Sequence, residues 1–127
     1  MRLGLLLCVV LAGCGSKDTK VTREDCTKVA DHISDLIMDH MQTHPDELWE
    51  QVKDQQTGLP ASVTKESLPQ FMQTPEGKTW LVQRRGYTRT GVEQGIDTCV
   101  QKATRKEVSC LLAAKSRDAV TACDSAK

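Results

Sequence analysis

From Thr22 onward, apolar residues return every three or four positions, which is the spacing that places them on one face of an α-helix. The clearest run lies in the first third of the chain and consists of Cys26, Val29, Ala30, Ile33, Ile37 and Met41. Thr22, with Asp25 three residues later, has the spacing of a capping box and predicts where this helix starts. The helix should end before His44, because Pro45 disfavours helical geometry in the residue that precedes it.

Proline and glycine mark the borders of the next elements. Pro45 suits the first position of a second helix, and Gly58 and Pro60 should end it. The buried side of this helix is predicted to consist of Leu48, Trp49 and Val52. A short helical turn, interrupted at Pro69, is predicted from the apolar residues Leu68, Phe71 and Met72.

Four further helix starts follow in the second half of the chain. Thr74-Pro75-Glu76 opens a helix that Gly86 is expected to close. Capping boxes at Thr90–Glu93 and Thr104–Glu107 open two more, and Ser116 can cap the last one. Because no strand-like alternation appears, the fold is predicted to be all-α, a compact bundle of five to seven short helices over residues 22–127.

The first thirteen residues have the layout of an export signal. One basic residue, Arg2, precedes an apolar run from Leu3 to Ala12, and small residues follow. The run has about half of the ~20 residues that a membrane-spanning helix needs. Residues 1–13 are therefore predicted to be a cleaved signal peptide.

The segment Leu11-Ala12-Gly13-Cys14 resembles the lipobox of bacterial lipoproteins. The resemblance implies that Cys14 receives a diacylglyceryl group and becomes the mature amino terminus, followed by a tether over residues 14–21. Two or more acyl chains give stable membrane anchoring. In Gram-negative lipoproteins, a residue other than aspartate after the lipidated cysteine, here Gly15, implies the outer membrane. The tether spans roughly 25 Å at most, so the domain should stay close to the membrane.

Once Cys8 has left with the signal peptide and Cys14 carries lipid, four cysteines remain: Cys26, Cys99, Cys110 and Cys123. An even number in an exported chain predicts disulfides, and four cysteines allow three connectivities. We favour Cys110–Cys123, whose members flank the turn at Ser116, together with Cys26–Cys99. Cys99 and Cys110 flank Thr104 in a similar way, which leaves a competing pairing open. The absence of a Cys-x-x-Cys motif gives no support to zinc-ribbon, thioredoxin-like or c-type haem sites.

The carboxy-terminal part resembles the Cys-rich helical segment of small lipoproteins of myxobacteria and their relatives. The resemblance covers roughly residues 93–124 and rests on Asp97-x-Cys99, on Val108-x-Cys110-Leu111-x-Ala113-Ala114-Lys115 and on Cys123. It implies a helical fold and an envelope location, and it implies no activity.

Charge is balanced overall but divided along the chain. Residues 23–54 contain nine acids and three bases, whereas residues 78–117 contain nine bases and three acids. This division favours attraction between the two halves within one fold. The alternative is that the basic residues form a surface that binds anionic lipid or an acidic partner. Nucleic acid is not expected as a partner of a chain with an export signal.

The sequence offers few candidates for chemistry. His40 and His44 have the spacing of paired metal ligands on a helix, but Pro45 should break the helix at His44, so we predict no metal site and no cofactor. No Gly-x-Ser-x-Gly motif occurs, and the carboxylates recur at helical spacing on exposed faces. We therefore predict no catalytic residues and no enzyme activity.

These observations favour an outer-membrane-anchored periplasmic lipoprotein that acts as a non-enzymatic interaction module of the cell envelope. Its partners would be the membrane, through the lipid anchor, and an envelope protein bound in a groove between helices. In plan, though not in motif, it is similar to the small helical pilotins of type II secretion systems. The alternatives are a pilotin-like secretion accessory and a periplasmic lipoprotein that binds a small ligand or a metal.

Overall fold

The first helix, α1, is the element on which most of the others pack. In the computed structural model, which describes residues 20–55 and 57–125, α1 contacts α2, α4, α5, α6 and α7. The helices, in chain order, are α1 (Arg23–Thr43), α2 (Pro45–Val52), α3 (Leu68–Phe71), α4 (Pro75–Glu93), α5 (Ile96–Lys102), α6 (Arg105–Ala113) and α7 (Arg117–Ser125). No strand occurs among the described residues, so the all-α prediction is confirmed.

Local signals in the sequence fix most helix ends. Thr22 and Asp25 form the predicted capping box at the start of α1, and α1 ends at Thr43, before His44. Pro45 opens α2, and Gly58, whose φ is 75°, lies in the loop after it. A positive φ is a conformation that glycine adopts without steric cost.

Two apolar clusters form the core of the described residues. The first lies along the amino-terminal half of α1 and consists of the buried residues Val21, Cys26, Val29, Ala30, Ile96 and Val108. The second lies at the other end of the fold and consists of Leu48, Val52, Leu68, Met72 and Trp80. In the second cluster, Trp80 Nε1 donates a hydrogen bond to the carbonyl oxygen of Thr57 at 2.9 Å, so the buried indole is satisfied.

Both favoured disulfides are present. Cys26–Cys99 joins α1 to α5, with a Cα–Cα distance of 6.0 Å. Cys110–Cys123 joins α6 to α7, with a Cα–Cα distance of 5.9 Å. The competing Cys99–Cys110 pairing is therefore wrong: one bond ties α5 to α1, and the other ties α6 to α7.

The predicted helix break at Gly86 is wrong. A single helix, α4, runs from Pro75 to Glu93 through Gly86, and Thr90 donates its hydroxyl to the Gly86 carbonyl instead of capping a new helix. A glycine inside a helix costs only about 1 kcal/mol relative to alanine. Packing on α1 and the ion pairs that Arg85 and Arg89 make on either side of Gly86 oppose that cost.

Two smaller expectations are also corrected. Pro69 does not interrupt the turn at Leu68–Phe71 but lies in its first turn, where a missing N–H costs nothing. On α1, Ser34 and Met38 are buried in addition to the predicted face. The Ser34 hydroxyl is satisfied because it donates to the Ala30 carbonyl at 2.8 Å.

Candidate functional site

A half-open apolar cleft lies between α1, α5 and α6. Its volume is about 230 Å³, and it is lined by Cys26, Val29, Ala30, Ile33, Val92, Gly95, Ile96, Cys99, Ala103 and Leu111. Both cysteines of the lining belong to the Cys26–Cys99 disulfide, so no lining side chain titrates. A concave, mostly apolar and preformed surface is the kind of place where proteins bind ligands or partner side chains.

Three helices hold the cleft in shape. Cys26, Val29 and Ala30 are buried on the inward face of α1, and Ile96, which is 5% exposed, starts α5 opposite them. The Cys26–Cys99 disulfide fixes α5 against α1 at this place. Most of the cleft wall therefore comes from helices, and Gly95 and Ala103 contribute from the turns at the two ends of α5.

The chain enters the domain beside this cleft. Val21 is buried in the same apolar cluster as the cleft walls. Just before it, the carbonyl oxygen of Lys20 accepts a hydrogen bond from the Arg105 guanidinium at 3.2 Å. Arg105 also pairs with Asp25 at 3.2 Å, so the segment that follows the predicted tether is held to α1 and α6.

Asp25 is held by several hydrogen bonds at the start of α1. Its Oδ2 accepts from the Thr22 backbone N–H at 2.9 Å and from the Thr22 hydroxyl at 2.9 Å. The backbone hydrogen bond, then the hydroxyl and the Arg105 guanidinium, hold the pKa of Asp25 below its ordinary value of 3.8. The carboxylate therefore stabilises the start of α1 in its ionised form.

Acidic residues of the first half of the chain form ion pairs with basic residues of the second half. Asp35 pairs with Arg85 at 2.5 Å, and Asp31 pairs with Arg89 at 2.6 Å. Arg117 reaches Glu47 at 3.4 Å, which joins α7 to α2. The interpretation that the acidic first half attracts the basic second half is confirmed. The pairs of Arg85 and Arg117 are about half exposed, so each contributes little stability by itself.

The histidines at the α1–α2 junction make structural contacts. His40 Nε2 donates to a Glu47 carboxylate oxygen at 2.8 Å, and the rings of His40 and His44 stack with centroids 3.9 Å apart. The hydrogen bond from His40 lowers the pKa of Glu47 below its ordinary value. Within residues 20–55 and 57–125, no group of three or more potential ligands is arranged to hold a metal ion. His32 bonds to the Ala114 carbonyl at 2.6 Å and so ties α1 to the end of α6.

Comparison of the chain with protein-family models, with curated proteins and with solved structures gives no match. Among the described residues, no helix is both long enough and apolar enough to cross a membrane.

The predicted site residues fall into two groups. The four disulfide cysteines are brought together in the pairs that the sequence favoured. Cys14 and residues 1–13, which carry the lipid-attachment and signal-peptide predictions, lie outside the described residues. The cleft residues Ile33, Ala103 and Leu111 belong to the apolar stripes in the sequence, but nothing in those stripes distinguishes a cleft wall from a filled core.

Proposed function

We propose that this chain is an outer-membrane lipoprotein, anchored through Cys14, whose periplasmic helical domain is a non-enzymatic interaction module. The domain receives an apolar group of another envelope protein, most simply a side chain on an amphipathic helix, in the cleft between α1, α5 and α6. The observation that carries the proposal is the cleft itself, an apolar concavity of about 230 Å³ on a frame that two disulfides hold together.

The chemistry of the cleft supports binding over catalysis. General acid–base and nucleophilic mechanisms need a titratable or nucleophilic side chain at the reacting atoms, and the cleft lining offers none. Burial of an apolar group there would gain about 25 cal/mol for each Å² removed from water. Recognition of an amphipathic helix by an apolar groove needs no more than this and a suitable rim.

The position of the cleft supports the role of the anchor. The described chain enters the domain at Lys20 and Val21, next to the cleft walls, and the predicted tether between Cys14 and Val21 is short. A protein held to the membrane in this way meets its partners at a high effective concentration. A cleft of modest size can therefore be sufficient for function.

The cleft is tested by filling it. Ala103 lines the cleft and is half-buried, so Ala103→Leu should place a larger apolar side chain in it and leave the helices intact. The matched control is Ala113→Leu, at an exposed position near the end of α6. A photo-reactive amino acid at Ile33 should capture one envelope protein, and Ala103→Leu should abolish that capture while Ala113→Leu leaves it unchanged. Capture that survives a filled cleft would show that the cleft is not the binding site.

The anchor is tested separately. Cys14→Ala should give an uncleaved or unlipidated product that no longer fractionates with the outer membrane as the wild type does. If the variant and the wild type fractionate alike, the lipoprotein assignment is wrong, whatever the cleft binds.

A small apolar molecule is the second candidate for the cleft. An apolar cavity of about 150 Å³ can bind benzene, so a cleft of about 230 Å³ has room for a ligand of that kind. The ligand would be detected as a molecule that co-purifies with the wild type and is lost in Ala103→Leu. A pilotin-like role is a narrower form of the first candidate, in which the bound helix belongs to a secretion channel.

A further inference from the structure

Basic residues gather at the corner of the fold where the chain enters the domain. Lys102 ends α5, and Arg105 and Lys106 begin α6 after a turn of two residues. The Arg105 guanidinium donates to the carbonyl oxygen of Lys20 at 3.2 Å, which holds the entering chain against the start of α6. We call this part of the surface, formed by Lys20, Lys102, Arg105 and Lys106, the entry corner.

The acidic residues around the entry corner already have partners within the fold. Residues 20–28 and 97–107 together contain six bases and four acids. The four acids are paired as follows: Glu24 with Lys28, Asp25 with Arg105, Asp97 with Arg23, and Glu107 with the Thr104 backbone N–H. Lys102 and Lys106 are exposed and form no ion pair with any described residue. The entry corner therefore presents two unpaired ammonium groups to its surroundings.

The opposite end of the fold carries the opposite charge. Residues 39–78, which include the end of α1, α2, α3 and the start of α4, contain seven acids and three bases. Arg117 of α7 reaches this end through its ion pair with Glu47 and leaves it acidic. The helix that connects the two ends, α1, has 21 residues and is therefore about 30 Å long. The domain is dipolar, and the predicted tether joins it at the positive end.

We propose that the entry corner binds anionic phospholipid headgroups of the membrane to which Cys14 anchors the chain. This proposal rests on the lipid anchor of the proposed function. Anionic lipid favours a lysine or arginine at its surface by roughly a factor of five for each residue. The attraction extends about 8 Å at physiological salt, and a tether of roughly 25 Å at most keeps the domain within reach of the surface. The difference in charge between the two ends then turns the entry corner toward the membrane.

The position of the entry corner favours lipid over an acidic protein. The headgroup layer is within reach of the tether in every anchored molecule, whereas an acidic protein has to arrive by diffusion. The two unpaired lysines, Lys102 and Lys106, lie at the ends of two different helices. Separate phosphate groups of a headgroup layer can meet such lysines one by one, without a preformed pocket for a single anion.

Lysine reactivity in the anchored chain tests the proposal. The lipidated full chain, purified from the envelope, is added to vesicles of phosphatidylcholine, either alone or mixed with phosphatidylglycerol. A neutral acylating reagent then modifies exposed lysines, and mass spectrometry gives the rate at each position. Phosphatidylglycerol should slow the reaction of Lys102 and Lys106 roughly fivefold. Lys78 and Lys115, which are also exposed and unpaired within the described fold, are internal controls and should react at unchanged rates.

The outcomes separate this proposal from the anchor itself. Equal slowing of all four lysines, or slowing that persists in about 1 M salt, where screening shortens the attraction to about 3 Å, would overturn the lipid-binding corner alone. A purified chain without lipid would overturn the anchor and this proposal together, and its intact mass reveals that before any vesicle is added. Slowing of Lys102 and Lys106 in isolated envelopes but not in vesicles would assign the corner to an acidic envelope protein and overturn the lipid assignment.

Charge reversal provides a second readout. The variant Lys102→Glu/Lys106→Glu is compared with Lys78→Glu/Lys115→Glu, which changes the net charge by the same amount. All four positions are exposed, so both variants should fold, which thermal unfolding checks. Phosphatidylglycerol should slow amide hydrogen exchange over residues 101–108 in the wild type and in the control variant, but not in Lys102→Glu/Lys106→Glu. Slowing that survives this reversal would contradict the proposal.

Discussion

The two disulfides close segments of very different length and should contribute unequally to stability. Cys26 and Cys99 are 73 residues apart, and Cys110 and Cys123 are 13 residues apart. By the chain-entropy relation, the longer loop is worth about 4.4 kcal/mol and the shorter about 3 kcal/mol at 25 °C. Burial acts in the same direction but more weakly, because each bond has one buried cysteine, Cys26 or Cys123, while Cys99 is half-buried and Cys110 is exposed. Removal of Cys26–Cys99 should therefore cost at least 1 kcal/mol more than removal of Cys110–Cys123.

The comparison requires two double variants, Cys26→Ala/Cys99→Ala and Cys110→Ala/Cys123→Ala. Urea unfolding of each is followed by far-UV circular dichroism under non-reducing conditions, and the free energy of unfolding is compared with that of the wild type. A domain of this size has only about 5–15 kcal/mol in total, so the first variant should be close to unfolding while the second remains folded. Equal losses, or a larger loss from Cys110–Cys123, would refute the reasoning from loop length and burial.

Two further predictions concern the helix starts. Gly77→Ala should destabilise the domain by about 1–3 kcal/mol in the same urea assay, because a Cβ there would lie 1.9 Å from the Phe71 carbonyl oxygen; a neutral result would mean that α4 shifts freely at its start. Asp25→Asn should lower stability at neutral pH, and its difference from the wild type should disappear as pH falls through the depressed pKa of Asp25, because a carboxylate with a lowered pKa stabilises the fold only while it is ionised. Urea midpoints measured between pH 2 and 6 follow this difference, and a difference that grew toward low pH would contradict the assignment.

The sequence predicted the helix starts well because their signals are local. Thr22 with Asp25, and Thr104 with Glu107, form complete capping boxes, and each box involves residues only three apart. Ser116 caps α7 without a box, because only its hydroxyl takes part, accepting a hydrogen bond from the Ala119 N–H at 3.1 Å. The hydrogen-bonding groups at a helix start must find partners within the first turn, so nearby residues are sufficient to place it.

The course of α4 could not be predicted in this way. Gly86 and Thr90 look like a stop and a start when only neighbouring residues are considered. The helix continues because Arg85 and Arg89 reach Asp35 and Asp31 on α1, 50 and 58 residues away. A contact over that distance leaves no periodic signal in the sequence, and tertiary packing overrides a weak local preference.

The cleft also could not be predicted from the sequence. Apolar stripes identify the faces that α1, α5 and α6 turn toward each other. Whether those faces fill the space between them depends on the positions of the helices. The Cys26–Cys99 disulfide and the small residues Gly95 and Ala103 help to set those positions. The pairing of the cysteines was more accessible, because Cys110 and Cys123 flank the turn at Ser116, but the same reasoning left Cys99–Cys110 open.

The most direct test of the proposed lipoprotein is the intact mass of the chain purified from the cell envelope. The account predicts a polypeptide that begins at Cys14 and carries the added mass of a diacylglyceryl group, with or without a further acyl chain, and four remaining cysteines in two disulfides. A chain that retains residues 1–13, or one that begins at another residue without lipid, would contradict it.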